Sequence, residues 1–178
     1  MKVICFGDSN TYGYDPRSYF GGRYPKDSRW VDILAEKTGW EVINQGENGR
    51  CIPRCLVAFP ADTDLLVVML GTNDLLQGST PEQAAARMKQ FLNGLSLARE
   101  KILLTAPPPM TLGDWVTDPA LVEDSRTLAR CYRALAEELG VRFADGGKWA
   151  VTLAYDGVHF TGQGHRAFAR GLYQEVMR

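Results

Sequence analysis

The chain has 178 residues, which is about one domain and enough to bury a core without disulfides or a structural metal. Its formal net charge of −1 argues against a basic surface for nucleic acids or anionic membranes, so we expect small neutral partners. No apolar run reaches the roughly 20 residues of a membrane span, and the first predicted strand begins too early to leave room for a signal peptide, which together predict a cytoplasmic protein.

Strand-like apolar runs alternate along the chain with segments of helical periodicity. The predicted strands are Lys2–Gly7, Glu41–Asn44, Asp64–Gly71, Lys101–Ala106 and Val141–Asp145. Alternating strands and helices indicate an α/β fold in which a parallel sheet is covered on both faces.

Capping residues mark the ends of four predicted helices. The helices are expected at about 30–37, 81–98, 120–139 and 162–177, and their starts are marked by Ser28, Thr80, Asp118 and Thr161. Proline at the first helical position and Gln83 at the capping-box position support the second helix. Gly39 is expected to end the first helix, and Gly140 to end the third as the left-handed residue that commonly follows a helix.

Two connections are long for a compact domain, Tyr14–Ser28 and Pro107–Thr117. Loops of this length usually line a site or contact a partner subunit. Their aromatic content exceeds what a solvated loop needs, and the aromatic residues concerned are Tyr14, Tyr19, Phe20, Tyr24 and Trp115. An apolar patch of this kind on a monomer favours a homo-oligomer that buries it.

The four cysteines, Cys5, Cys51, Cys55 and Cys131, are scattered along the chain. This scatter favours small buried side chains over a disulfide framework. The spacing of Cys51 and Cys55 leaves a disulfide or a metal site as an alternative. No second pair of ligands stands nearby at the spacing of a zinc site, so we expect no metal there.

The first predicted strand ends in the sequence Gly7-Asp8-Ser9-Asn10. Residues of these types commonly form turns, and a turn is the plain interpretation. The alternative is a nucleophilic serine at the tip of a strand. That interpretation requires a base within hydrogen-bond reach, usually a histidine oriented by a carboxylate.

The chain has only two histidines, and both lie in the sequence YDGVHFTGQGH near the C-terminus. The spacing of Asp156 and His159 can place a carboxylate against one ring nitrogen while the other faces Ser9. A core or surface histidine is the plain alternative, and for His165 we expect a hydrogen bond to the loop. A metal site formed by Asp156, His159 and His165 ranks below the serine interpretation.

Acyl transfer also needs hydrogen-bond donors for the oxyanion. Ligands of parallel sheets bind beyond the carboxyl ends of the strands, so such donors are expected directly after strands. Gly49 follows the second predicted strand and Asn73 follows the third. Each alone is a common turn residue, but together with Ser9, Asp156 and His159 they predict a site for acyl transfer.

In these segments the sequence resembles the SGNH hydrolases, also called GDSL-type esterases and lipases. The matching blocks are FGDSNTYG around Ser9, NQGENG ending at Gly49, LGTND holding Asn73, and DGVHFTGQGH holding Asp156 and His159. The resemblance implies one SGNH hydrolase domain over residues 1–178, with a flavodoxin-like three-layer α/β/α fold and a five-stranded parallel sheet. It implies Ser9 as nucleophile, with Asp156 and His159 as the base pair. It further implies an oxyanion hole of the backbone N–H groups of Ser9 and Gly49 with the Asn73 amide, and no cofactor or metal.

Asn10 stands where the name-giving motif has leucine, a departure expected to leave the chemistry unchanged. The sequence also resembles the arylesterase-like branch of the family in three segments, which are the long aromatic loop after the first block, Arg29-Trp30 and Ala106–Pro109. Members of that branch often form oligomers. The sequence therefore predicts a serine esterase acting on small carboxylic esters with short acyl chains, such as acetylated carbohydrates or aryl esters.

Other functions stay open as alternatives. A thioesterase or a lysophospholipase-type acyl hydrolase would use the same residues. A non-catalytic module binding flavin or phosphate at Gly7–Thr11 would place Asp8 against an anion and leave Asp156 and His159 without a task. Gly162–Ala167 matches a dinucleotide fingerprint, but no strand follows it and no acidic residue stands about twenty residues further on.

Overall fold

The computed structural model describes residues 1–177 and follows the predicted alternation of strands and helices. The strands are β1 (Lys2–Gly7), β2 (Glu41–Gly46), β3 (Leu65–Met69), β4 (Ile102–Ala106) and β5 (Arg142–Asp145). The helices are α1 (Ser9–Tyr12), α2 (Trp30–Thr38), α3 (Thr72–Leu76), α4 (Pro81–Asn93), α5 (Pro119–Leu139) and α6 (Gly162–Val176). Within residues 1–177, none of the helices is both long and apolar enough to cross a membrane.

The five strands form one parallel sheet with the order β2-β1-β3-β4-β5. At the carboxyl end of β1, Gly7 pairs with Gly46 of β2 and with Met69 of β3. The strand order reverses between β1 and β3, and ligands of such sheets bind in the crevice at this point. The segments that follow β1, β2 and β3 therefore share one edge of the sheet.

Alternate strand residues pack against helices on opposite faces, as expected for a sheet buried on both sides. Ile4 and Leu66 belong to the core cluster that includes residues of α4 and α5, whereas Val3 and Leu65 belong to the cluster that includes residues of α2 and α6. The arrangement confirms the predicted three-layer α/β/α fold.

The capping residues act as the sequence predicts. Thr80 and Gln83 form a complete capping box at the start of α4. The Asp118 side chain accepts a hydrogen bond from the backbone N–H of Ala120, and Thr161 does the same for Gly164. Gly39 follows α2 and Gly140 follows α5, and both adopt the left-handed conformation.

Two predicted helix boundaries are wrong. Helix α4 ends at Asn93 and not near Ala98: Gly94 is its C-cap residue, and the Arg99 guanidinium donates to the carbonyl of Leu92. Ser28 does not cap α2, since it lies in a preceding 3₁₀ turn and its hydroxyl donates to Asp27. In addition, the short helices α1 and α3 stand where the sequence favours turns.

Candidate active site

Ser9 is the first residue of α1, which begins almost directly after β1. The Asp8 side chain caps this helix by accepting a hydrogen bond of 2.9 Å from the backbone N–H of Asn10. A Cβ on Gly7 would overlap the Thr11 hydroxyl, so only glycine lets α1 fold back this closely on the strand. The short connection fixes Ser9 at the carboxyl edge of the sheet.

Asp156 and His159 lie in the loop before α6 and are held together by two hydrogen bonds, with a third from Asp156 to Val158. Asp156 Oδ2 is 2.8 Å from His159 Nδ1, and Oδ1 accepts from the backbone N–H groups of Val158 and His159. Burial raises the pKa of Asp156, but the hydrogen bonds from His159 and from the backbone outweigh burial and hold the pKa below its ordinary value. The carboxylate that faces the imidazole is therefore ionised at neutral pH.

The other ring nitrogen of His159 faces the serine. His159 Nε2 lies 3.0 Å from Ser9 Oγ, so Asp156, His159 and Ser9 form a continuous chain of hydrogen bonds. All three side chains are buried. With the ring proton on Nδ1 bonded to Asp156, the Nε2 lone pair is placed to remove the proton of the serine hydroxyl.

Gly49 and Asn73 border the same cleft as Ser9. Asn73 Nδ2 donates to the backbone carbonyl of Arg50 at 3.1 Å. Since a carboxamide nitrogen carries two hydrogens, this bond orients the group and leaves the second hydrogen for a ligand. Gly49 has a φ of +75°, a left-handed conformation that favours glycine. The structure thus brings four of the five predicted site residues to one cleft, and the fifth, Asp156, bonds His159 without lining the cleft.

Arg50 and Asp74 support this cleft, and the sequence analysis singled out neither. The Arg50 guanidinium donates to the carbonyls of Gly7 at the end of β1 and of Gln45 in β2. Asp74 Oδ2 accepts from the backbone N–H of Ile52 at 3.0 Å. Together these bonds tie the loop that carries Gly49 to the strand ends and to α3. The bonds of Arg50 to Gly7 and of Asp74 to Ile52 join residues 43 and 22 positions apart, so local spacing carries no signal for them.

The cleft itself has a volume of about 200 Å³. Both long aromatic loops contribute to it, as expected of loops that line a site. The rings of Tyr14 and Trp115 lie 4.6 Å and 5.0 Å from the ring of His159, centroid to centroid. Asn48 and Val158 complete the lining. The space beside Ser9 is therefore small and partly aromatic.

The loop that carries Trp115 is docked onto the loop that carries Asp156. The backbone N–H groups of Thr111 and Trp115 donate to the carbonyls of Gly157 and Asp156 at 3.0 and 3.1 Å. Gly157 has a φ of +80°, and a Cβ there would overlap the Thr111 carbonyl oxygen. This close approach positions the indole of Trp115 at the ring of His159.

His165 lies outside the cleft lining and packs between helices. Its Nδ1 accepts a long hydrogen bond of 3.5 Å from the backbone N–H of Trp30, the first residue of α2, where the sequence predicts a bond to the loop. Burial lowers the pKa of His165 to about 3, so the ring is neutral. Residues 1–177 hold no group of three or more His, Cys, Asp or Glu side chains arranged for a metal ion, and Cys51 and Cys55 are free thiols.

Comparison with known proteins identifies the family. The model of the GDSL-like lipase/acylhydrolase family matches residues 5–167. A carbohydrate acetylesterase family member from Sinorhizobium meliloti has a similar structure, with 32% sequence identity, a TM-score of 0.82, and coverage of 99% of this chain and 97% of that chain. The native aryl esterase of M. smegmatis has 27% identity and a TM-score of 0.80, with coverage of 99% and 98%.

Another carbohydrate acetylesterase from S. meliloti, Est24, has 25% identity and a TM-score of 0.79 over 99% of this chain and 98% of that chain. A search among curated proteins gives no match. The family match spans the segments that carry Ser9, Gly49, Asn73, Asp156 and His159. The chain therefore belongs to the GDSL-like lipase/acylhydrolase family and is a serine ester hydrolase.

Proposed function

We propose that the protein hydrolyses small carboxylic esters through a covalent acyl-serine intermediate, within one domain spanning residues 1–178. The observation that carries the proposal is the continuous hydrogen-bonded chain from Asp156 through His159 to Ser9. A serine hydroxyl is a weak nucleophile unless a base removes its proton. His159, oriented by Asp156, is such a base.

In the acylation step, Ser9 Oγ attacks the ester carbonyl carbon while His159 Nε2 takes the hydroxyl proton. The tetrahedral oxyanion is stabilised by the backbone N–H groups of Ser9 and Gly49 and by the Asn73 amide. His159 then returns the proton to the leaving alcohol as the ester C–O bond breaks, and an acyl ester of Ser9 remains.

In the deacylation step, a water molecule replaces the alcohol. His159 takes a proton from water as the oxygen attacks the acyl carbon, and returns it to Ser9 Oγ as the carboxylic acid leaves. Asp156 stays ionised throughout, because its hydrogen bonds hold its pKa low. It fixes the imidazole tautomer and stabilises the positive charge that His159 carries between the two proton transfers.

We propose short acyl groups, from acetyl to butyryl, with a sugar-like or aryl alcohol. The cleft of about 200 Å³ is small, and the flanking indole of Trp115 is 56% exposed, which suits stacking of a ring on the alcohol side. The similarity to carbohydrate acetylesterases and an aryl esterase supports this choice. A thioesterase or lysophospholipase activity would need room for a longer chain. The cytoplasmic location stays a prediction.

The mechanism is tested by Ser9→Ala and His159→Ala. Each should abolish nearly all hydrolysis of p-nitrophenyl acetate and leave the melting temperature close to that of the wild type. Ser125→Ala is a matched control, because Ser125 is as buried as Ser9 but its hydroxyl bonds only backbone groups outside the cleft. Equal turnover by Ser9→Ala and the wild type would refute the mechanism.

The substrate class is tested by kcat/KM across p-nitrophenyl esters from acetate to palmitate, with acetylated xylose alongside. We expect a maximum between acetyl and butyryl and a steep fall beyond about six acyl carbons. A cleft of about 200 Å³ has no room to bury a longer acyl chain, so it cannot use the roughly 0.8 kcal/mol that burial of each added methylene otherwise contributes. Activity that rises with chain length would favour a lipase or thioesterase.

A further inference from the structure

Asn10 joins helix α1, which carries Ser9, to residues 156–160, which we call the histidine loop. This residue follows Ser9 directly, is 4% exposed, and uses both polar atoms of its side chain across the fold. Its Nδ2 donates to the carbonyl of Val158 at 3.1 Å, and its Oδ1 accepts from the backbone N–H of Phe160 at 2.8 Å. Val158 and Phe160 are the two neighbours of His159.

The hydrogen bonds of Asp156 do not perform this task. In the part of the chain that the structure describes, the carboxylate of Asp156 bonds only Val158 and His159, and its backbone carbonyl accepts from Trp115, so these bonds hold the loop in shape without attaching it to α1. Among the hydrogen bonds of residues 1–177, α1 reaches this loop through the pair made by Asn10 and through the contact between Ser9 and His159 itself. The two bonds of Asn10 therefore constrain the distance between Ser9 and the imidazole from the side of α1.

Asn10 is itself well anchored. It lies in the capped helix α1, and its backbone carbonyl accepts a hydrogen bond of 2.9 Å from the indole Nε1 of the buried Trp30. A side chain held at its base in this way can fix the position of the backbone it binds. Leucine, found here in the family motif, has a similar size but no polar atoms for these two bonds.

We propose that Asn10 is a positioning residue that holds His159 at proton-transfer distance from Ser9. The proposal rests on the function proposed above. Without Asn10, the Val158 carbonyl and the Phe160 N–H lose their partners. The loop then loses two hydrogen bonds that join it to α1, which lets the intact Asp156–His159 unit shift relative to Ser9. A displacement of roughly 1 Å in a reacting geometry can cost on the order of a hundredfold in rate.

The test replaces Asn10 by Leu and, in a second variant, by Ala, which removes the same bonds without added bulk. We expect kcat to fall by about 10- to 100-fold in both. KM should stay within about threefold, because His159 acts in acylation and deacylation and both steps slow together. Labelling of Ser9 by a fluorophosphonate should slow in parallel with kcat.

Asn44→Ala is the matched control. Asn44 also holds α1, since its Nδ2 donates to the carbonyl of Thr11 at 2.8 Å, but it does not touch the histidine loop. This variant should lose some thermal stability and keep kcat within about threefold of the wild type. A loss of kcat equal to that of Asn10→Leu would overturn the proposal, since loosening α1 in general would then suffice.

Two further readouts separate positioning from a merely structural role. In Asn10→Leu the downfield Nδ1–H resonance of His159 should persist in the NMR spectrum, because its bond to Asp156 lies within the loop. On a His159→Ala background, Asn10→Leu should cause less than about a twofold further loss of activity, because its effect passes through His159.

A folded Asn10→Leu with wild-type kcat would overturn the proposal. So would a full additional loss on the His159→Ala background, or failure of both variants to fold. The function proposed above fails by a different result, which is retained activity in Ser9→Ala. An active Ser9→Ala and an active Asn10→Leu are thus distinguishable outcomes.

Discussion

At the scale of single residues, two buried carboxylates of the candidate site, Asp8 and Asp156, have opposite pKa shifts. Hydrogen bonds from His159 and the backbone hold the pKa of Asp156 low despite burial. For Asp8, burial outweighs the bond from the Asn10 N–H and raises the pKa to about 6. The same residue type thus serves as an ionised partner of the imidazole at one position and as a helix cap that is readily protonated at the other.

The proposed oxyanion role of Asn73 makes a prediction at this scale. Asn73→Ala removes one donor, and loss of one such donor costs about 2.7 to 4 kcal/mol of transition-state stabilisation in other enzymes. We therefore expect kcat for p-nitrophenyl acetate to fall by about 10² to 10³, with little change in KM. A raised KM with unchanged kcat would mean that Asn73 contributes only to substrate binding.

At the scale of elements, the site is built on two short helices that begin almost directly at strand ends. Helix α1 carries Ser9 and α3 carries Asn73. The strand ends must pass very close to their neighbours, and a Cβ on Gly46 in β2 would overlap the backbone of Tyr12 in α1. Gly7 and Gly46 therefore let α1 lie directly against the strand ends. A longer connection would hold Ser9 less rigidly.

At the contact between α6 and α2, the buried His165 should make the free energy of unfolding depend on pH. The pKa of His165 is lowered to about 3 by burial and by the charge of Arg29, from an ordinary value of 6.5. Between these values the unfolded chain binds a proton that the folded chain does not. The free energy of unfolding should therefore fall as the pH is lowered from about 6.5, with a slope approaching about 1.4 kcal/mol per pH unit.

The measurement is urea unfolding of the wild type and of His165→Gln at pH 7, 6 and 5. The variant lacks the titrating ring, so the difference between the two free energies should shrink or reverse toward acid pH. Asp8 has the opposite slope between pH 3.8 and about 6, because its folded pKa is raised, but it is common to both proteins and cancels. Parallel pH curves would contradict the prediction.

At the scale of the whole molecule, apolar side chains are exposed on the loops around the cleft. Tyr19 and Phe20 are each 93% exposed and form an edge-to-face pair at 5.1 Å. The hydroxyl of Tyr155 donates to the carbonyl of Pro16 at 2.7 Å, which attaches this loop to the loop of Asp156. An exposed aromatic pair on a loop attached in this way favours contact with a second copy of the chain.

We therefore expect the protein to be a homo-oligomer, and the double variant Tyr19→Ser/Phe20→Ser to shift it toward the monomer. Light scattering at micromolar concentration should give the wild type a multiple of the chain mass of 19.8 kDa. Leu56→Ser is a matched control, because Leu56 is 85% exposed but lies on a different loop. A monomeric wild type would refute the prediction.

Local signals predicted most of the fold. Apolar runs located all five strands to within two residues, and the caps at Thr80, Asp118 and Thr161 located the starts of three helices. Such signals act over three or four residues, so they can be recognised from the amino-acid sequence alone. The end of α4 was predicted too late, although a local signal stands there, since Gly94 is the C-cap residue. The bond from Arg99 to the Leu92 carbonyl, by contrast, is seen only in the structure.

The residues of the candidate site were also predicted from the sequence, since each stands in a short block directly after a strand or before a helix. What holds them together was decided only by the tertiary structure. Asn10 finds its partners 148 and 150 residues away, and Arg50 bonds the ends of two strands. These contacts exist because the strand order brings separate loops to one edge of the sheet, and residue spacing does not encode which distant backbone groups meet there.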